Sequence, residues 1–358
     1  MSVIRHSDMR NFEYRQDLPR GLGEHLKDKK MAQVRIGIIG CGRISGSHIR
    51  GYKEHPGCRI VAVMDINEER AKEGAQLADT EKYYLDLREL LEKERPCGVS
   101  ICTPPSTHAL IATECLSRCV SVLCEKPFST SPEEAKRMVV ASKNSGAILQ
   151  VAYKRRFYPD VREAKEMIEA GKIGKVLFFR NMFGGFKNMK ERTWFADPEV
   201  AGGGASMDAG SHSVDLVRYF CGEAKRVSFL KANLVQDLQV DDTATLFLEL
   251  ESGCFATLAV TWSVPVPSTH YAEIYGSEGT ILMGRDSRYK LSDEKEWKRI
   301  EGGPAQIGAQ MGHFVECIEN KATPIVTGID GLRVQEIIHA AYKSHRSGKW
   351  EEVERTLS

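Results

Sequence analysis

The first apolar run of the chain and the turn that follows it read Val34-Arg35-Ile36-Gly37-Ile38-Ile39-Gly40-Cys41-Gly42-Arg43-Ile44-Ser45. The run is typical of a parallel strand, because such strands are buried on both faces and carry few polar residues. The turn is typical of dinucleotide binding: Gly40 permits a tight bend, Gly42 lets backbone approach a pyrophosphate, and the small Ser45 lets the next helix pack closely. The stretch therefore predicts a strand, a phosphate-binding turn and a helix whose free N–H groups face the phosphates.

The second predicted strand ends on an acidic residue that supports the same prediction. Asp65 lies 25 residues after Gly40, near the position where a dinucleotide-binding unit carries a carboxylate for the adenosine ribose. Its alternative role is that of an N-cap for a helix predicted over residues 67–77. Because the glycine turn and the acid share one βαβ unit, we favour cofactor binding. A carboxylate at this position would repel the 2′-phosphate of NADP, so we expect NAD to be preferred.

Bulk composition limits the classes of protein and of partner. The length of 358 residues fits two domains, and the net charge of +1 gives no field that would attract nucleic acid or an acidic membrane. No apolar run is long enough to span a bilayer, and residues 1–30 do not resemble a secretion signal. Ten cysteines form no CxxC pair, and the closest set, Cys115, Cys119 and Cys124, matches no common zinc spacing. We therefore expect free thiols, no metal site and a reducing, cytoplasmic location.

Strand and helix patterns alternate in the first part of the chain and change after residue 152. Up to that point the predicted strands are 34–39, 60–64, 98–102, 121–124 and 147–152, and the main predicted helices are 68–76, 87–93, 109–118 and 132–144. Beyond it the predicted strands are 176–182, 226–235, 243–250, 254–262, 271–275, 280–283 and 297–300, with helices at 159–170, 211–220, 310–320 and 331–345. The predicted class is α/β: a doubly wound parallel sheet followed by an α+β domain with a largely antiparallel sheet. We place an N-terminal extension at 1–32, the dinucleotide-binding domain at 33–152 and the second domain at 153–358.

Two places in this layout carry side chains suited to proton transfer. Lys126 follows the strand 121–124, where it can reach the crevice at the carboxyl ends of the strands and donate to a substrate oxygen. Its alternative role is that of a surface lysine paired with Glu125. Asp208 and His212 are four residues apart, so a helix would place them on one face. Near a helix N-terminus His212 would be favoured as a neutral base, and the alternative is a helix-surface pair without a catalytic role.

Taken together, these motifs resemble those of the Gfo/Idh/MocA family, named after glucose–fructose oxidoreductase and inositol 2-dehydrogenase. The resemblance covers about residues 33–350 and rests on the stretches Gly40 to Ser45, Cys102 to His108, Glu125 to Pro127, Gly204 to Asp215, Gly312 to Phe314 and Gly328 to Arg333. It implies a Rossmann domain joined to a second α/β domain with an open sheet. Because such sheets often mediate dimers or tetramers, we expect a homodimer or homotetramer.

The resemblance also implies which residues form the site. It assigns catalysis to Lys126, Asp208 and His212. The residues that it implies for the cofactor are Gly40, Gly42, Arg43, Ile44, Asp65, Thr103, Pro104, His108, Glu125 and Lys126. The residues that it implies for the substrate are Lys154, Arg156, Trp194, Asp208 and His212.

The activity that the resemblance implies is reversible oxidation of a secondary alcohol by NAD on a sugar, sugar phosphate or cyclitol. His212 would take the hydroxyl proton, Lys126 would stabilise the developing oxyanion, and the cofactor would accept the hydride. Trp194 could stack on a sugar ring. The cations of the implied substrate site, Lys154 and Arg156, could bind a phosphate or carboxylate or instead pair with local acids. Two alternatives stay open: an NAD-using glycosidase that oxidises its substrate transiently, and a non-catalytic sensor of sugar or NAD.

Overall fold

The computed structural model describes residues 33–189, 193–266, 268–302 and 308–357. The predicted N-terminal extension, 1–32, lies outside the described residues. No helix in the described ranges is both long enough and apolar enough to cross a membrane. The same ranges contain no group of three or more His, Cys, Asp or Glu side chains placed to hold a metal ion. All ten cysteines lie in these ranges and are free thiols.

A parallel sheet of six described strands comes first in the chain. The strands are β1 (Val34–Ile39), β2 (Cys58–Met64), β3 (Tyr83–Tyr84), β4 (Gly98–Ile101), β5 (Ser121–Cys124) and β6 (Leu149–Val151). Their order across the sheet is β3-β2-β1-β4-β5-β6, so the direction of winding reverses between β1 and β4. Ligands of doubly wound sheets bind at this switch point, beyond the carboxyl ends of the strands. The predicted parallel sheet is confirmed.

Helices accompany this sheet, and polar side chains cap several of them. They are α1 (Ser45–Lys53), α2 (Glu68–Leu77), α3 (Leu87–Glu94), α4 (His108–Ser117) and α5 (Pro132–Ser145). Ser131 caps α5 by accepting a hydrogen bond from the backbone N–H of Glu134. The cap of α2 is Asn67, which accepts from the backbone N–H of Arg70. The alternative role of Asp65 as the cap of this helix is therefore wrong.

A second sheet of nine described strands follows. Its strands are β7 (Val176–Gly184), β8 (Ala224–Ala232), β9 (Thr243–Leu250), β10 (Phe255–Thr261), β11 (His270–Gly276), β12 (Gly279–Gly284), β13 (Arg288–Leu291), β14 (Lys298–Arg299) and β15 (Glu351–Glu352). The order is β14-β13-β12-β11-β7-β10-β9-β8-β15, and the described pairs are antiparallel apart from β7 with β10. The predicted α/β class with a mostly antiparallel second sheet is confirmed. The sequence does not predict β13 and β15, because both are short and rich in charged residues.

Helix α8 starts earlier than the sequence predicts. The remaining described helices are α6 (Pro159–Glu169), α7 (Pro198–Ala201), α8 (Ala205–Cys221), α9 (Ala309–Asn320) and α10 (Gly328–Ser347). The predicted start of α8 at Ser211 is therefore wrong by two turns, because Asp241 caps the helix from a distant loop. The Asp241 carbonyl accepts from the N–H of Ala205 at 2.8 Å, and its carboxylate accepts from the N–H of Ser206 at 2.8 Å.

Helices of the second half also pack on the first sheet. Apolar side chains of α9 and of β1 share one buried cluster, which contains Met311, Phe314, Val315, Val34 and Ile36. The side-chain amide of Gln150, in β6, donates to the carbonyl of Gln310 at 2.9 Å, and α10 packs against both α5 and α8. The chain therefore crosses between the two sheets more than once, and the boundary between residues 152 and 153 stays a prediction.

Candidate active site

The turn after β1 leaves open space at the amino end of α1. Gly40 has a φ of 85°, and a Cβ there would lie 2.7 Å from Thr103 Cγ2, so this position requires glycine. A Cβ at Gly42 would meet no described atom within 4 Å. Such space beside a helix N-terminus is what the pyrophosphate of a dinucleotide needs. Arg43 and Ile44 are exposed between this space and α1, where they can contact the same ligand.

Asp65 connects this turn to the end of β2. Its Oδ2 accepts from the backbone N–H of Cys41 at 2.8 Å, and its Oδ1 accepts from that of Asn67 at 2.9 Å. A carboxylate offers about four acceptor sites, so both oxygens can still accept from a ribose hydroxyl. The carboxylate therefore lies beside the glycine turn with acceptor capacity left, and its contact with the cofactor stays a prediction.

His108 joins two loops inside the protein. Its ring is fully buried, with Nε2 2.8 Å from the carbonyl oxygen of Thr103 and Nδ1 2.9 Å from that of Pro127. Both ring nitrogens are thus used by the loops after β4 and β5. His108 therefore connects these two loops, and its predicted contact with the cofactor stays a prediction. Thr103 and Pro104 are partly exposed in the loop after β4 and stay predicted cofactor contacts.

Glu125 lies in a buried polar network beneath Lys126. Its Oε1 is 2.8 Å from His48 Nε2, and its Oε2 accepts from the backbone N–H of Lys126 at 3.1 Å. The His48 Nδ1 lies 3.0 Å from the hydroxyl of Ser100, which is 2.7 Å from that of Tyr52. Burial opposes ionisation of Glu125, but His48 and Lys126 together outweigh it and lower the pKa of the carboxyl. Each oxygen thus has one partner inside the protein, and the predicted contact of Glu125 with the cofactor stays a prediction. Sequence analysis did not identify His48.

The side chain of Lys126 reaches from the parallel sheet to helix α8. Its Nζ lies 2.5 Å from Asp208 Oδ1 and 3.4 Å from the Asp208 carbonyl oxygen. The alternative role of Lys126 as a surface lysine paired with Glu125 is therefore wrong. The second carboxylate oxygen, Oδ2, accepts from the indole N–H of Trp262 at 3.2 Å and lies 3.5 Å from Lys187 Nζ. The sequence analysis did not identify Trp262 as a site residue, although Trp262 is the last residue of the predicted strand 254–262.

The charges around Asp208 determine its protonation state and that of His212. Burial opposes ionisation of Asp208, but the charges of Lys126 and Lys187 outweigh it and hold the pKa of this carboxyl well below its ordinary value. Burial, assisted by the charges of Lys126 and Arg155, lowers the pKa of His212 well below 6.5. The site therefore contains an ionised carboxylate one helical turn from a neutral imidazole.

His212 is the eighth residue of α8, so its neutral form results from burial and nearby cations and not from the helix end that the sequence suggests. Its Nδ1 is buried and has no hydrogen-bond partner among the described residues. The ring lies 6.0 Å from that of Tyr153, edge to face, and the Tyr153 hydroxyl is also buried without a described partner. Both atoms therefore keep hydrogen-bonding capacity that no described residue uses. Tyr153 was not predicted.

The three residues predicted for the substrate alone have different surroundings. Lys154 is partly exposed in the segment after β6. Arg156 is buried, with its guanidinium bonded to Asp215 at 2.6 Å and to Asp330 at 3.0 Å. Arg156 is thus paired with local acids, and its contact with the substrate stays a prediction. Trp194 stacks on the neighbouring Phe195 ring at 3.7 Å, which covers one face of its indole, and its contact with a sugar stays a prediction.

Two family models match the chain. The model described as an oxidoreductase family with an NAD-binding Rossmann fold matches residues 34–153. The model described as the GFO/IDH/MocA C-terminal domain matches residues 161–282. Together the two models span more than half of the chain.

Individual relatives agree with these models. Scyllo-inositol 2-dehydrogenase (NAD(+)) of Bacillus subtilis (strain 168) is 30% identical over 337 residues, which cover 88% of this chain and 95% of that protein. Myo-inositol 2-dehydrogenase of Thermotoga maritima is 28% identical and covers 89% of this chain and 99% of its own length. A solved levoglucosan dehydrogenase, in complex with NADH and levoglucosan, has the same fold, with a TM-score of 0.85, 23% identity and coverage of 90% of this chain and 100% of that one. The chain therefore belongs to the Gfo/Idh/MocA family of NAD-binding oxidoreductases.

Proposed function

We propose that this chain catalyses the reversible oxidation of a secondary alcohol to a ketone by NAD on a sugar or cyclitol. The observation that carries the proposal is the meeting of Lys126, Asp208 and His212 where the loops of the parallel sheet face α8. The inositol dehydrogenases among the relatives support the substrate class. The alternative of a non-catalytic sensor is disfavoured, because the chain retains every group that the reaction needs.

The residues present fit NAD. The open space at Gly42 accommodates a pyrophosphate, and Asp65 has acceptor capacity for the adenosine ribose. Arg43 and Ile44 would border the pyrophosphate, and Thr103 the nicotinamide half. When bound, NAD supplies a nicotinamide ring that accepts a hydride from the carbinol carbon.

The side chains of the site divide the proton and charge chemistry between them. His212 is neutral and can take the proton of the substrate hydroxyl. Lys126 donates to the same oxygen, and its positive charge favours the alkoxide over the alcohol. Asp208 holds the Lys126 ammonium in position at 2.5 Å, while Trp262 fixes the orientation of the Asp208 carboxylate.

We expect NAD to be used in preference to NADP. The ionised form of Asp65 would repel a 2′-phosphate, and Asn67, which follows in the same loop, offers that phosphate no cation. Comparison of kcat/KM for the two cofactors with one substrate tests this expectation. Equal or better use of NADP would contradict it. If the Asp65 carboxylate causes the preference, Asp65→Asn should reduce the ratio of kcat/KM with NAD to kcat/KM with NADP.

We also propose that the chain forms a homodimer or homotetramer through the outer face of the nine-stranded sheet. Helices α8 and α10 pack on the opposite face. Apolar side chains on the outer face are exposed, among them Phe178, Leu230, Phe247 and Phe255. Phe178 and Phe255 are direct register partners, so they form a continuous apolar surface of the kind that marks an interface.

The free cysteines support the expectation of a cytoplasmic enzyme.

A substrate screen tests the proposed activity. The purified chain with NAD is offered sugars, inositols, glycosides and their phosphates, and NADH is followed by its absorbance at 340 nm. Net accumulation of NADH with an unmodified polyol supports a dehydrogenase. Glycoside cleavage without net NADH would instead favour the NAD-using glycosidase, because that reaction regenerates its cofactor. Binding without turnover of any compound would favour the sensor.

A further inference from the structure

Cations from both sheets converge on the proposed catalytic site. Lys154 and Arg155 lie in the segment that follows β6. Strand β6 is the neighbour of β5, and Lys126 lies just after the end of β5. Lys187 comes from the loop after β7, where its backbone N–H donates to the Trp262 carbonyl at 2.8 Å. The carboxyl ends of parallel strands lie at one edge of a sheet, so Lys126, Lys154 and Arg155 share that edge.

The carboxylates of the site do not balance these cations. Asp208 is bound by Lys126 and lies near Lys187, whereas Glu125 is bound by His48. Neither Lys154 nor Arg155 forms an ion pair with any residue in the described ranges. Among the described residues, Lys154 and Arg155 thus have no carboxylate within ion-pair distance, although the charge of Glu125 acts on Lys154 from further away.

Arg156 provides an internal comparison for its two neighbours. Its guanidinium is neutralised by two carboxylates, those of Asp215 and Asp330. A cation that serves only the fold is therefore paired in this segment. Lys154 and Arg155 depart from that pattern, which suggests that their partner is a ligand.

The guanidinium of Arg155 is held in a fixed orientation without being neutralised. Its central carbon lies 4.2 Å from the ring centroid of Phe183 and 4.3 Å from that of Tyr271. Its Nε is buried without a hydrogen-bond partner among the described residues, and the Arg155 charge is close enough to the Tyr271 hydroxyl to oppose the rise in its pKa that burial causes. A planar guanidinium that rests on aromatic rings can present its N–H edge to a carboxylate or phosphate in a bidentate pair.

The field of these cations reaches the proposed base and the lysine itself. Burial lowers the pKa of Lys154; the charge of Glu125 opposes this effect, and the charges of Arg155 and Lys126 add to it. Burial is also the largest cause of the low pKa of His212, and the charges of Lys126, Arg155 and Lys154 lower it further. An added negative charge near these groups would relieve their mutual repulsion.

We propose that the sugar or cyclitol substrate carries an oxyanion, either a carboxylate or a phosphate, and that Lys154 and Arg155 bind this group. The proposal rests on the proposed dehydrogenase function and specifies its substrate class. A neutral polyol would leave the positive charges of Lys154 and Arg155 without a counter-charge, whereas an oxyanion gives charge-assisted hydrogen bonds to both residues. The chemistry is the same for a carboxylate and a phosphate ester, so the experiment must separate the two sources.

Matched pairs of compounds test this proposal. The pairs are D-glucuronate with D-glucose, D-galacturonate with D-galactose, D-glucose 6-phosphate with D-glucose, and myo-inositol 1-phosphate with myo-inositol. Binding of each compound to the NADH-loaded full chain is measured by calorimetry, and turnover with NAD is measured at 340 nm. We expect at least one acidic or phosphorylated member to bind about tenfold or more tightly than its neutral partner. Preference for the uronates would identify the oxyanion as a carboxylate, and preference for the esters would identify it as a phosphate.

Variants identify the cations that are responsible for the preferential binding of anionic compounds. Lys154→Met should reduce the ratio of anionic to neutral affinity about tenfold, and Arg155→Gln should do the same if the first variant is poorly folded. Lys93→Met is the matched control, because Lys93 is 62% exposed on α3 and is paired with Glu89, so the ratio should not change.

The outcomes separate this proposal from the proposed function. If no anionic member binds more tightly than its neutral partner, the oxyanion site is contradicted, and turnover of a neutral member would still support the dehydrogenase. An unchanged ratio in both Lys154→Met and Arg155→Gln would also overturn the assignment. Another outcome is that an anionic member binds tightly in a way that depends on Lys154 while no compound of either screen yields NADH. That result would support the oxyanion site and count against the dehydrogenase.

Discussion

At the scale of single residues, Asp208 joins the two halves of the site. The described residues supply it with three donors from three places: Lys126 after β5, Lys187 after β7 and Trp262 after β10. A buried carboxylate needs such donors to stay ionised. The same interactions hold the Lys126 ammonium against Asp208, and His212 lies one turn further along α8.

Lys126→Ala should abolish most turnover while cofactor binding persists. The proposed role of Lys126 is to stabilise negative charge on the reacting oxygen, and loss of a donor of this kind costs about 10²–10³ in kcat. Steady-state kinetics and the fluorescence of bound NADH measure the two effects separately. Lys93→Ala, which removes a lysine from the exposed face of α3, is the control, and a near-normal kcat in Lys126→Ala would exclude the assigned role.

The pH profile of oxidation should reflect the low pKa of His212. A base must be neutral to accept a proton, and a pKa lowered well below 6.5 keeps this imidazole neutral until the pH falls below that value. We therefore expect kcat/KM to be constant from neutrality down through pH 6.5 and to fall only at lower pH. His212→Asn should lose this acid limb and most of the rate. If His212→Asn keeps near-normal turnover and the same fall of kcat/KM at low pH, a group other than His212 causes that fall.

The sequence indicates which residues are chemically able to form the site but not which of them are free to do so. Arg155 and Arg156 are adjacent and have the same side chain, yet Arg156 is bound by Asp215, 59 residues further along the chain, whereas Arg155 lies over aromatic rings. His108 and Glu125 likewise have partners inside the protein, His108 in the loops after β4 and β5 and Glu125 in His48. Such pairings depend on tertiary contacts, and local sequence patterns do not contain them.

At the scale of secondary structure, the sequence predicts buried strands better than the start of α8. Strands β1, β5 and β9 occupy the predicted residues, because apolar periodicity is a local signal. The start of α8 depends on Asp241, which lies 35 residues beyond Ser206. Its glycine- and serine-rich first turns have low helix propensity, so they resemble a loop until that distant cap is known.

Gly204→Ala should destabilise the protein at this cap. A Cβ at Gly204 would lie 2.0 Å from the carbonyl oxygen of Asp241 and 2.6 Å from its backbone N, so backbone would have to move. Overpacking of this kind costs about 1–3 kcal/mol, and displacement of α8 should also lower kcat. Thermal or urea unfolding measures the loss of stability.

Gly210→Ala is a control in the same helix. A Cβ there would lie 3.8 Å from the Ala205 carbonyl oxygen, which is an ordinary contact, and alanine favours a helix interior over glycine by up to about 1 kcal/mol. Its stability should therefore be unchanged or higher. If Gly204→Ala were equally stable, the close approach to Asp241 would not be what fixes the start of α8.

At the scale of the whole molecule, the outer sheet face predicts self-association. Light scattering at micromolar concentration should give a mass of at least twice 40.0 kDa. Phe255→Asp should reduce this mass, because Phe255 is 56% exposed in the middle of the apolar face. Leu110→Asp is the control, since Leu110 is 78% exposed on α4, away from that sheet. A monomeric wild-type chain would contradict the proposed interface.

The most direct test of the proposed chemistry follows a labelled hydride. The best substrate from the screens is prepared with deuterium on its ring carbons and incubated with the purified chain and NAD, and the reduced cofactor is analysed by mass spectrometry. The proposal predicts that NADH accumulates with one deuterium per molecule, in step with the ketone, and that Lys126→Ala forms neither product at a comparable rate. Consumption of the substrate without deuterium in the cofactor, or without any net reduced cofactor, would contradict a dehydrogenase at this site.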